Sequence, residues 1–205
     1  MPEFRDFYFP STTGKNQILA RTCTPDKPPK AVVQIAHGIA EHIDRYDPFM
    51  RFLAEDSYYV VGNDHLGHGL SAQRVDELGI FAEKDGWTHV VDDMKALRDR
   101  IREEHHDIPY IFFGHSMGSF LTRTYMIRFP NQYDAAILSG TGHQSAALIS
   151  AAYTRCRPNA GIWTGILRSP AEITQRVPSA PSLSMSVARM SQFSPSPKRT
   201  VLRPK

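Results

Sequence analysis

One stretch of sequence decides the fold of this chain, Tyr110-Ile111-Phe112-Phe113-Gly114-His115-Ser116-Met117-Gly118-Ser119. An apolar run leads into the motif Gly-x-Ser-x-Gly, and a helical pattern follows. This context predicts a nucleophile elbow, in which a serine lies on a tight turn between a strand and a helix with its hydroxyl exposed. The flanking glycines agree with that prediction, because they allow the strained turn to pass close to neighbouring backbone. We therefore interpret Ser116 as a catalytic nucleophile.

Strand patterns and helix patterns alternate on both sides of this stretch. A polar turn between two short apolar segments predicts a hairpin over 4–22. Further patterns predict buried strands over Ala31–Ala36, Tyr58–Asn63, Tyr110–Phe113 and Ala135–Ser139, and helices over 46–55, 88–106 and 117–129. Strict alternation of this kind indicates an α/β fold, with a mostly parallel sheet and helices on both faces. We expect this pattern to stop after the strand at Ala135–Ser139.

The loop after the first parallel strand is a candidate oxyanion hole. In an elbow architecture this loop supplies one backbone N–H, and the residue after the nucleophile supplies the other. We assign these two N–H groups to Ile39 and Met117. The alternative is that Gly38 only permits a turn at the end of the strand.

A serine nucleophile also needs a histidine base and a carboxylate, and neither partner is identified here. The last histidine of the chain is His143 and the last aspartate is Asp134, although this fold places both partners well after the serine. His143 lies near the functional edge of the sheet, and Glu172 is the one later acidic residue that could orient it. Strand alternation directs His115 away from the site.

Other histidines precede the elbow, but we predict no metal site and no cofactor. His65 and His68 have a spacing that metal ligands use, yet no cluster of Cys, Asp or Glu completes a set of ligands around them. Histidines at strand ends more often stabilise loops by hydrogen bonding. Cys23 and Cys156 are too few for a disulfide framework.

Composition divides the chain into two parts. Its 205 residues suit one domain, with 41% hydrophobic and 22% charged residues. Residues 1–154 carry 15 Lys and Arg against 20 Asp and Glu, whereas residues 155–205 carry 9 against 1. We predict the N-terminal part of a hydrolase domain over 1–154 and a divergent basic Ser/Pro/Arg-rich tail over 155–205. We expect this tail to be disordered, because such a composition forms no core. A basic tail could bind nucleic acid or an anionic membrane, or could be foreign to the fold before it.

Neither a signal peptide nor a membrane span is recognisable in the sequence. The first residues lack the basic and apolar regions of a secretory signal, and no apolar run is long enough to cross a bilayer. We therefore expect a cytoplasmic protein.

At four places the sequence resembles the α/β-hydrolase branch that contains monoacylglycerol lipases and lysophospholipases, also called serine aminopeptidase S33-like. The matching pieces are His37-Gly38-Ile39-Ala40-Glu41-His42 with Arg45-Tyr46, Asp64-His65-Leu66-Gly67-His68-Gly69-Leu70-Ser71, Gly86-Trp87, and Gly114-His115-Ser116-Met117-Gly118. The resemblance implies a serine hydrolase, cytosolic or peripheral to a membrane, that cleaves one acyl ester of a glycerol lipid. It implies Ser116 as nucleophile and Ile39 and Met117 as oxyanion donors. The expected partner is a small lipid or ester substrate, and we expect no nucleic acid.

Two departures from the family pattern affect this interpretation. Ser119 stands where glycine is usual, a change that we expect to be tolerated. Near Thr154-Arg155-Cys156 the resemblance stops, before the family's lid, catalytic Asp and catalytic His. We interpret this as a shifted reading frame, a mis-spliced exon or a truncated gene model; an authentic alternative tail is the other possibility. We therefore expect an ester hydrolase lineage whose present form is inactive, the alternatives being a non-catalytic binding protein and a non-functional fragment.

Overall fold

The structure is a computed structural model and describes residues 1–143. Glu172 and the predicted tail over 155–205 lie outside this range. Within it the strands are β1 (Glu3–Pro10), β2 (Gln17–Thr24), β3 (Ala31–Ala36), β4 (Tyr58–Asn63), β5 (Tyr110–His115) and β6 (Ala135–Ser139). The helices are α1 (Asp47–Glu55), α2 (Gly86–Glu104) and α3 (Met117–Arg128). Each predicted element is present, with ends that differ from the predicted ones by two residues at most.

The six strands form one mixed sheet in the order β1-β2-β4-β3-β5-β6. The hairpin strands β1 and β2 pair antiparallel, and β2 also pairs antiparallel with β4, whereas β4, β3, β5 and β6 run parallel to one another. The carboxyl ends of the parallel strands therefore meet at one edge of the sheet. This edge brings together the residues that follow β3, β4, β5 and β6, which is where ligands bind in open α/β sheets.

Helices cover both faces of the sheet, as the alternation of strands and helices predicts. On one face α2 and α3 pack against the sheet through an apolar cluster that includes Val90, Met94, Leu97, Leu121 and Tyr125. The stripe on α2 recurs every three or four residues, so one side of the helix is apolar along its length. On the other face α1 packs through a second cluster that includes Met50 and Leu53. The α/β class with helices on both faces is therefore confirmed.

The expectation of four buried parallel strands is wrong for the last of them. Every residue of β3 and β4 is buried, and the residues of β5 alternate between buried and half-buried, but all five residues of β6 are only half-buried. Among the described strands β6 pairs only with β5, at the end of the sheet order. A strand with a neighbour on one side retains access to solvent, and an apolar sequence alone does not reveal that position.

Candidate active site

The site is centred on a sharp bend at Ser116, between β5 and α3. Ser116 has φ 51° and ψ −118°, in the half of conformational space that residues other than glycine rarely adopt. Its N–H donates to the carbonyl of Ser139 at 2.9 Å, and its own carbonyl accepts from the hydroxyl of Ser119 at 2.6 Å. Ser116 itself is half-buried. The strained turn predicted from the sequence is therefore present, and it leaves the serine accessible.

The two glycines of the motif are required by close approach of the backbone. A Cβ on Gly114 would lie 2.5 Å from the carbonyl oxygen of Gly118. A Cβ on Gly118 would lie 1.9 Å from the carbonyl oxygen of Ala36, at the end of β3. Helix α3 consequently begins in direct contact with the neighbouring strand. The role that the sequence suggested for these glycines is confirmed.

The loop after β3 lies against the serine. A Cβ on Gly38 would be only 3.2 Å from the Cβ of Ser116, although the two residues are distant in sequence. Ala40, two residues later, has φ 55° in the left-handed region. This folded loop brings Gly38, the neighbour of Ile39, to the bend at Ser116.

His37 holds this loop by two hydrogen bonds. Its Nε2 accepts the backbone N–H of His65 at 2.9 Å, so the ring proton is on Nδ1, which donates to the carbonyl of Gly38 at 2.7 Å. The ring is completely buried, and burial lowers the pKa of His37 to about 4. His37 is therefore neutral near pH 7 and cannot accept a further proton without losing the bond from His65.

Glu41 binds the same loop from its other side. Its Oε1 accepts the backbone N–H of Gly38 and the hydroxyl of Tyr46, the latter at 2.8 Å. The Nε of Arg45 lies 3.8 Å from Oε2. Burial by itself would raise the pKa of Glu41, but the hydrogen bonds from Tyr46 and Gly38 leave the pKa lowered overall. Glu41 is therefore a half-buried acceptor in its ionised form.

The loop after β4 is organised by Asp64. Its carboxylate accepts the backbone N–H groups of Ile43 and Leu70, each at 2.7 Å. A Cβ on Gly69 would lie 2.1 Å from Oδ2 of Asp64, so the absence of a side chain at Gly69 leaves space for the carboxylate. Ser71 donates its hydroxyl to the carbonyl of Asp64 at 2.8 Å. Asp64 thus joins the loops that follow β3 and β4.

A cavity of about 560 Å³ opens between these two loops. Its lining is mostly apolar and includes Ile39, Leu78, Phe81 and Met117, with polar side chains contributed by Glu41, His42 and His68. The cavity therefore touches both residues that carry the proposed oxyanion N–H groups. Its volume is within the range of small-molecule sites.

The structure brings Ser116, Ile39 and Met117 to one place. Met117 is the first residue of α3, so its N–H is among those that have no partner within the helix. No hydrogen bond within residues 1–143 uses the N–H of Ile39. Both N–H groups are thus without a partner among the described residues, and their role as an oxyanion hole stays a prediction.

No histidine in the described range is hydrogen-bonded to the Ser116 side chain. Nδ1 of His115 lies 3.2 Å from the hydroxyl of Ser139 instead, which agrees with the direction that strand alternation predicts. His143 is exposed. Its suggested partner, Glu172, lies outside the described residues.

The histidines of the strand ends behave differently from one another. His37 stabilises the loops by hydrogen bonding, as predicted, and His68 approaches the carbonyl of Leu66 at 3.2 Å. The fully buried ring of His65 has no hydrogen-bond partner among residues 1–143 and instead packs on the ring of His37, with 4.1 Å between centroids. Within residues 1–143 no three His, Cys, Asp or Glu side chains are grouped to hold a metal ion.

The roles of Glu41 and Asp64 were not predicted from the sequence. Both belong to motifs that carry the family resemblance, but the residue type alone did not indicate what each carboxylate binds. A local signal existed for Glu41, because an acidic residue three positions after a loop glycine can reach back to its N–H.

Within residues 1–143 the longest helix, α2, is too polar to cross a bilayer, and no other helix qualifies as a membrane span.

Comparisons with known proteins agree with this architecture. The family model described as serine aminopeptidase, S33, matches residues 27–192. The chain is 35% identical over 127 residues to a monoacylglycerol lipase of Mycolicibacterium smegmatis, covering 62% of this chain and 43% of that protein. It is 29% identical over 124 residues to a mouse monoglyceride lipase, covering 59% and 38%. The chain thus spans less than half the length of these curated relatives.

Solved structures with a similar fold are also hydrolases. A thermostable carboxyl esterase from Bacillus coagulans in complex with glycerol aligns with TM-score 0.68 and 27% identity, covering 87% of this chain and 59% of that one. A soluble variant of monoglyceride lipase from Saccharomyces cerevisiae aligns with TM-score 0.61 and 20% identity, covering 78% and 52%, and this likeness concerns the fold alone.

The family match bears on both the domain boundaries and the identity of the chain. It runs past residue 154 into the basic segment, so the division into 1–154 and 155–205 stays a prediction. The α/β-hydrolase fold and the relationship to monoacylglycerol lipases are confirmed. The chain belongs to the serine aminopeptidase S33 family of α/β-hydrolases, in a lineage of ester hydrolases.

Proposed function

We propose that this chain carries the nucleophile and the oxyanion hole of a serine ester hydrolase of the monoacylglycerol lipase or lysophospholipase type. The observation that carries the proposal is the strained, half-buried Ser116 at the junction of β5 and α3. The loop of Gly38 lies against it, and the next residue, Met117, lines an apolar cavity together with Ile39. The relatives named as monoacylglycerol lipases support an ester substrate.

In this proposal Ser116 attacks the carbonyl carbon of an acyl ester. A base takes the hydroxyl proton, and the tetrahedral intermediate places its negative oxygen between the N–H groups of Ile39 and Met117. The C–O bond to the alcohol then breaks, and the alcohol leaves with the proton while the acyl group stays on Ser116. Water hydrolyses this acyl-enzyme in a second step and restores the free serine.

The cavity supports an acyl chain rather than a polar group as its occupant. Most of its lining is apolar, and Ile39 and Leu78 are about half exposed beside it, at 49% and 53%. A single-chain ester of glycerol would place its acyl chain on this apolar surface. A cytoplasmic location, with contact to a lipid surface, remains a prediction from the sequence.

We further propose that the 205-residue chain turns over little or no substrate. No histidine within residues 1–143 is hydrogen-bonded to Ser116, and the sequence after His143 has no histidine and one acidic residue, Glu172. In well-studied hydrolases the removal of a triad member lowers the rate by roughly 10⁴-fold to 10⁶-fold. The same observation supports the alternative function, a non-catalytic hydrolase-like protein that binds a lipid in the cavity without cleaving it.

The experiment measures labelling of Ser116 by a fluorophosphonate, with imidazole added as a substitute base. The full chain and the variant Ser116→Ala are incubated with the probe with and without imidazole, and the modified residue is located by peptide mass spectrometry. We expect slow labelling at Ser116 that imidazole accelerates, and no labelling of the variant at that peptide. Failure of Ser116 to react even with imidazole would refute the proposed nucleophile.

Turnover is tested separately with a monoacylglycerol substrate. Hydrolysis that is no faster with the full chain than with Ser116→Ala agrees with an inactive form. Rapid hydrolysis by the unmodified chain would contradict the inactive form and remove the support for the binding-protein alternative.

A further inference from the structure

Side chains hold both the peptide that carries the proposed oxyanion N–H and the peptide before it. This peptide joins Gly38 to Ile39, and its N–H belongs to Ile39. We propose that Glu41 and His37 are positioning residues, which fix this peptide so that its N–H faces the reacting carbonyl before substrate arrives. The inference rests on the proposed function, because it deepens the role of the same site.

The carbonyl end of the peptide is held by His37. Nδ1 of His37 donates to the carbonyl of Gly38 at 2.7 Å. A trans peptide is planar, with its C=O and N–H pointing in opposite directions, so a bond that fixes the oxygen also fixes the direction of the Ile39 N–H. The bond from the His65 N–H to Nε2, at 2.9 Å, fixes the ring itself. His37 thus orients the oxyanion donor without touching substrate.

The preceding peptide is held by Glu41. Its Oε1 accepts the N–H of Gly38, and the hydroxyl of Tyr46 donates to the same oxygen at 2.8 Å. The Glu41 side chain is only 12% exposed, so water competes poorly for this oxygen. With both its N–H and its C=O bound, Gly38 has little freedom to rotate either neighbouring peptide.

The loop after β3 contains two residues whose conformations need support from these side-chain hydrogen bonds. Gly38 has no side chain that could limit its rotation, and Ala40 is held at φ 55°, a conformation that is unfavourable for alanine. A loop with these residues would populate other conformations if the side-chain bonds were absent. Oxyanion donors contribute most when they are oriented in advance, since no reorganisation is then needed during the reaction.

The absence of a side chain at Gly38 is itself explained by this arrangement. A Cβ there would lie 2.6 Å from Oε1 of Glu41 and 3.2 Å from the Cβ of Ser116. Gly38 therefore occupies the narrow space between the carboxylate of Glu41 and the nucleophile Ser116. The hydrogen bond to Glu41 consequently lies close to the proposed reacting atoms.

Variants of Glu41 test the proposal, because His37 lies in the core and its replacement could prevent folding. Glu41→Ala removes the acceptor of the Gly38 N–H, Glu41→Gln keeps an acceptor without the charge, and Tyr46→Phe removes the second donor. Glu77→Ala is the matched control, since Oε2 of Glu77 also accepts a backbone N–H, that of Gln73 at 2.9 Å, on another loop.

The first readout is the second-order rate constant for imidazole-assisted labelling of Ser116 in the full chain. Loss of one oxyanion donor costs roughly 100-fold to 1000-fold in rate, so we expect a misaligned donor to lower the Glu41→Ala constant by about 10-fold to 100-fold. We expect Glu41→Gln to recover most of that loss and Glu77→Ala to match the unmodified chain. Equal rate constants for Glu41→Ala and the unmodified chain would overturn the proposal. So would equal losses in the Ala and Gln variants of Glu41, because the retained acceptor would then have no effect.

The second readout is hydrogen exchange of the Gly38 and Ile39 amides, followed by NMR. We expect Glu41→Ala to accelerate exchange of the Gly38 amide, while the Asp64-bound amide of Leu70 exchanges as before. Unchanged exchange at Gly38 would overturn the positioning role whatever the labelling shows. If Ser116 cannot be labelled in any variant, the proposed function fails, and exchange at Gly38 alone then decides whether Glu41 holds the loop.

Discussion

The contact between α3 and β3 predicts that Gly118→Ala strongly lowers the free energy of unfolding. The added Cβ would lie 1.9 Å from the carbonyl oxygen of Ala36, 2.5 Å from its carbonyl carbon and 2.7 Å from the carbonyl oxygen of His37. All three are backbone atoms at the end of a buried strand, so no side chain can rotate away from the methyl group. The start of α3 must therefore move away from β3.

The size of that movement follows from the same distances. Ordinary contacts of a Cβ begin near 3.4 Å, so the closest pair must separate by about 1.5 Å. Overpacking of a buried site costs about 1 to 3 kcal/mol, and we expect the upper end, about 3 kcal/mol, because both partners belong to packed elements. The same movement displaces Met117 and Ser116, so labelling of the serine should fall as well.

Gly14→Ala is the matched control for this substitution. Gly14 has φ 71°, and no atom lies within 4 Å of the position that its Cβ would take. Alanine there meets backbone strain but no steric overlap, and should cost about 1 kcal/mol. The difference between the two variants isolates the cost of contact.

Urea unfolding followed by far-UV circular dichroism measures both variants. With a slope of about 2 kcal/mol per molar urea, the midpoint should fall by about 1.5 M for Gly118→Ala and by about 0.5 M for Gly14→Ala. Equal midpoints for the two variants would refute the reasoning, since the helix would then have room for a methyl group beside β3.

Two further predictions concern pH and the strained serine. Burial lowers the pKa values of His37, His65 and His68, that of His37 from 6.5 to about 4. Between pH 6.5 and pH 4 the unfolded chain therefore binds more protons than the folded chain. The free energy of unfolding consequently falls as the pH is lowered. From about pH 7.5 to about pH 5.5 the loss for His37 alone should be about 1.3 kcal/mol, with the other two adding in the same direction; urea midpoints that are equal at the two pH values would contradict this. The φ of 51° at Ser116 predicts that Ser116→Gly is more stable than Ser116→Ala by about 1 kcal/mol, the reverse of the usual order for these residues. Thermal unfolding of both variants measures the difference, and a more stable alanine variant would show that the bend is unstrained.

The sequence by itself determined the strands and helices and the position of the sharp bend at Ser116. Strand and helix patterns are local, because each arises from the spacing of apolar residues over a few turns, and their ends were predicted within two residues. The bend at Ser116 was also predictable, since Gly114 and Gly118 flank a serine between a strand pattern and a helix pattern. The position of the proposed nucleophile could therefore be predicted without coordinates, whereas its histidine and carboxylate partners could not be identified.

Only the tertiary structure decided how these parts meet. The order of the strands places β3 between β4 and β5, and so brings Gly38 against Ser116 and His65 against His37. In our proposal the orientation of the Ile39 N–H depends on those contacts, because a loop with glycine has many conformations that local sequence does not distinguish. The half-buried state of β6 was also decided by the tertiary structure. An apolar segment has the same sequence pattern at the centre and at the end of a sheet, and only its neighbouring strands determine how much of it is exposed.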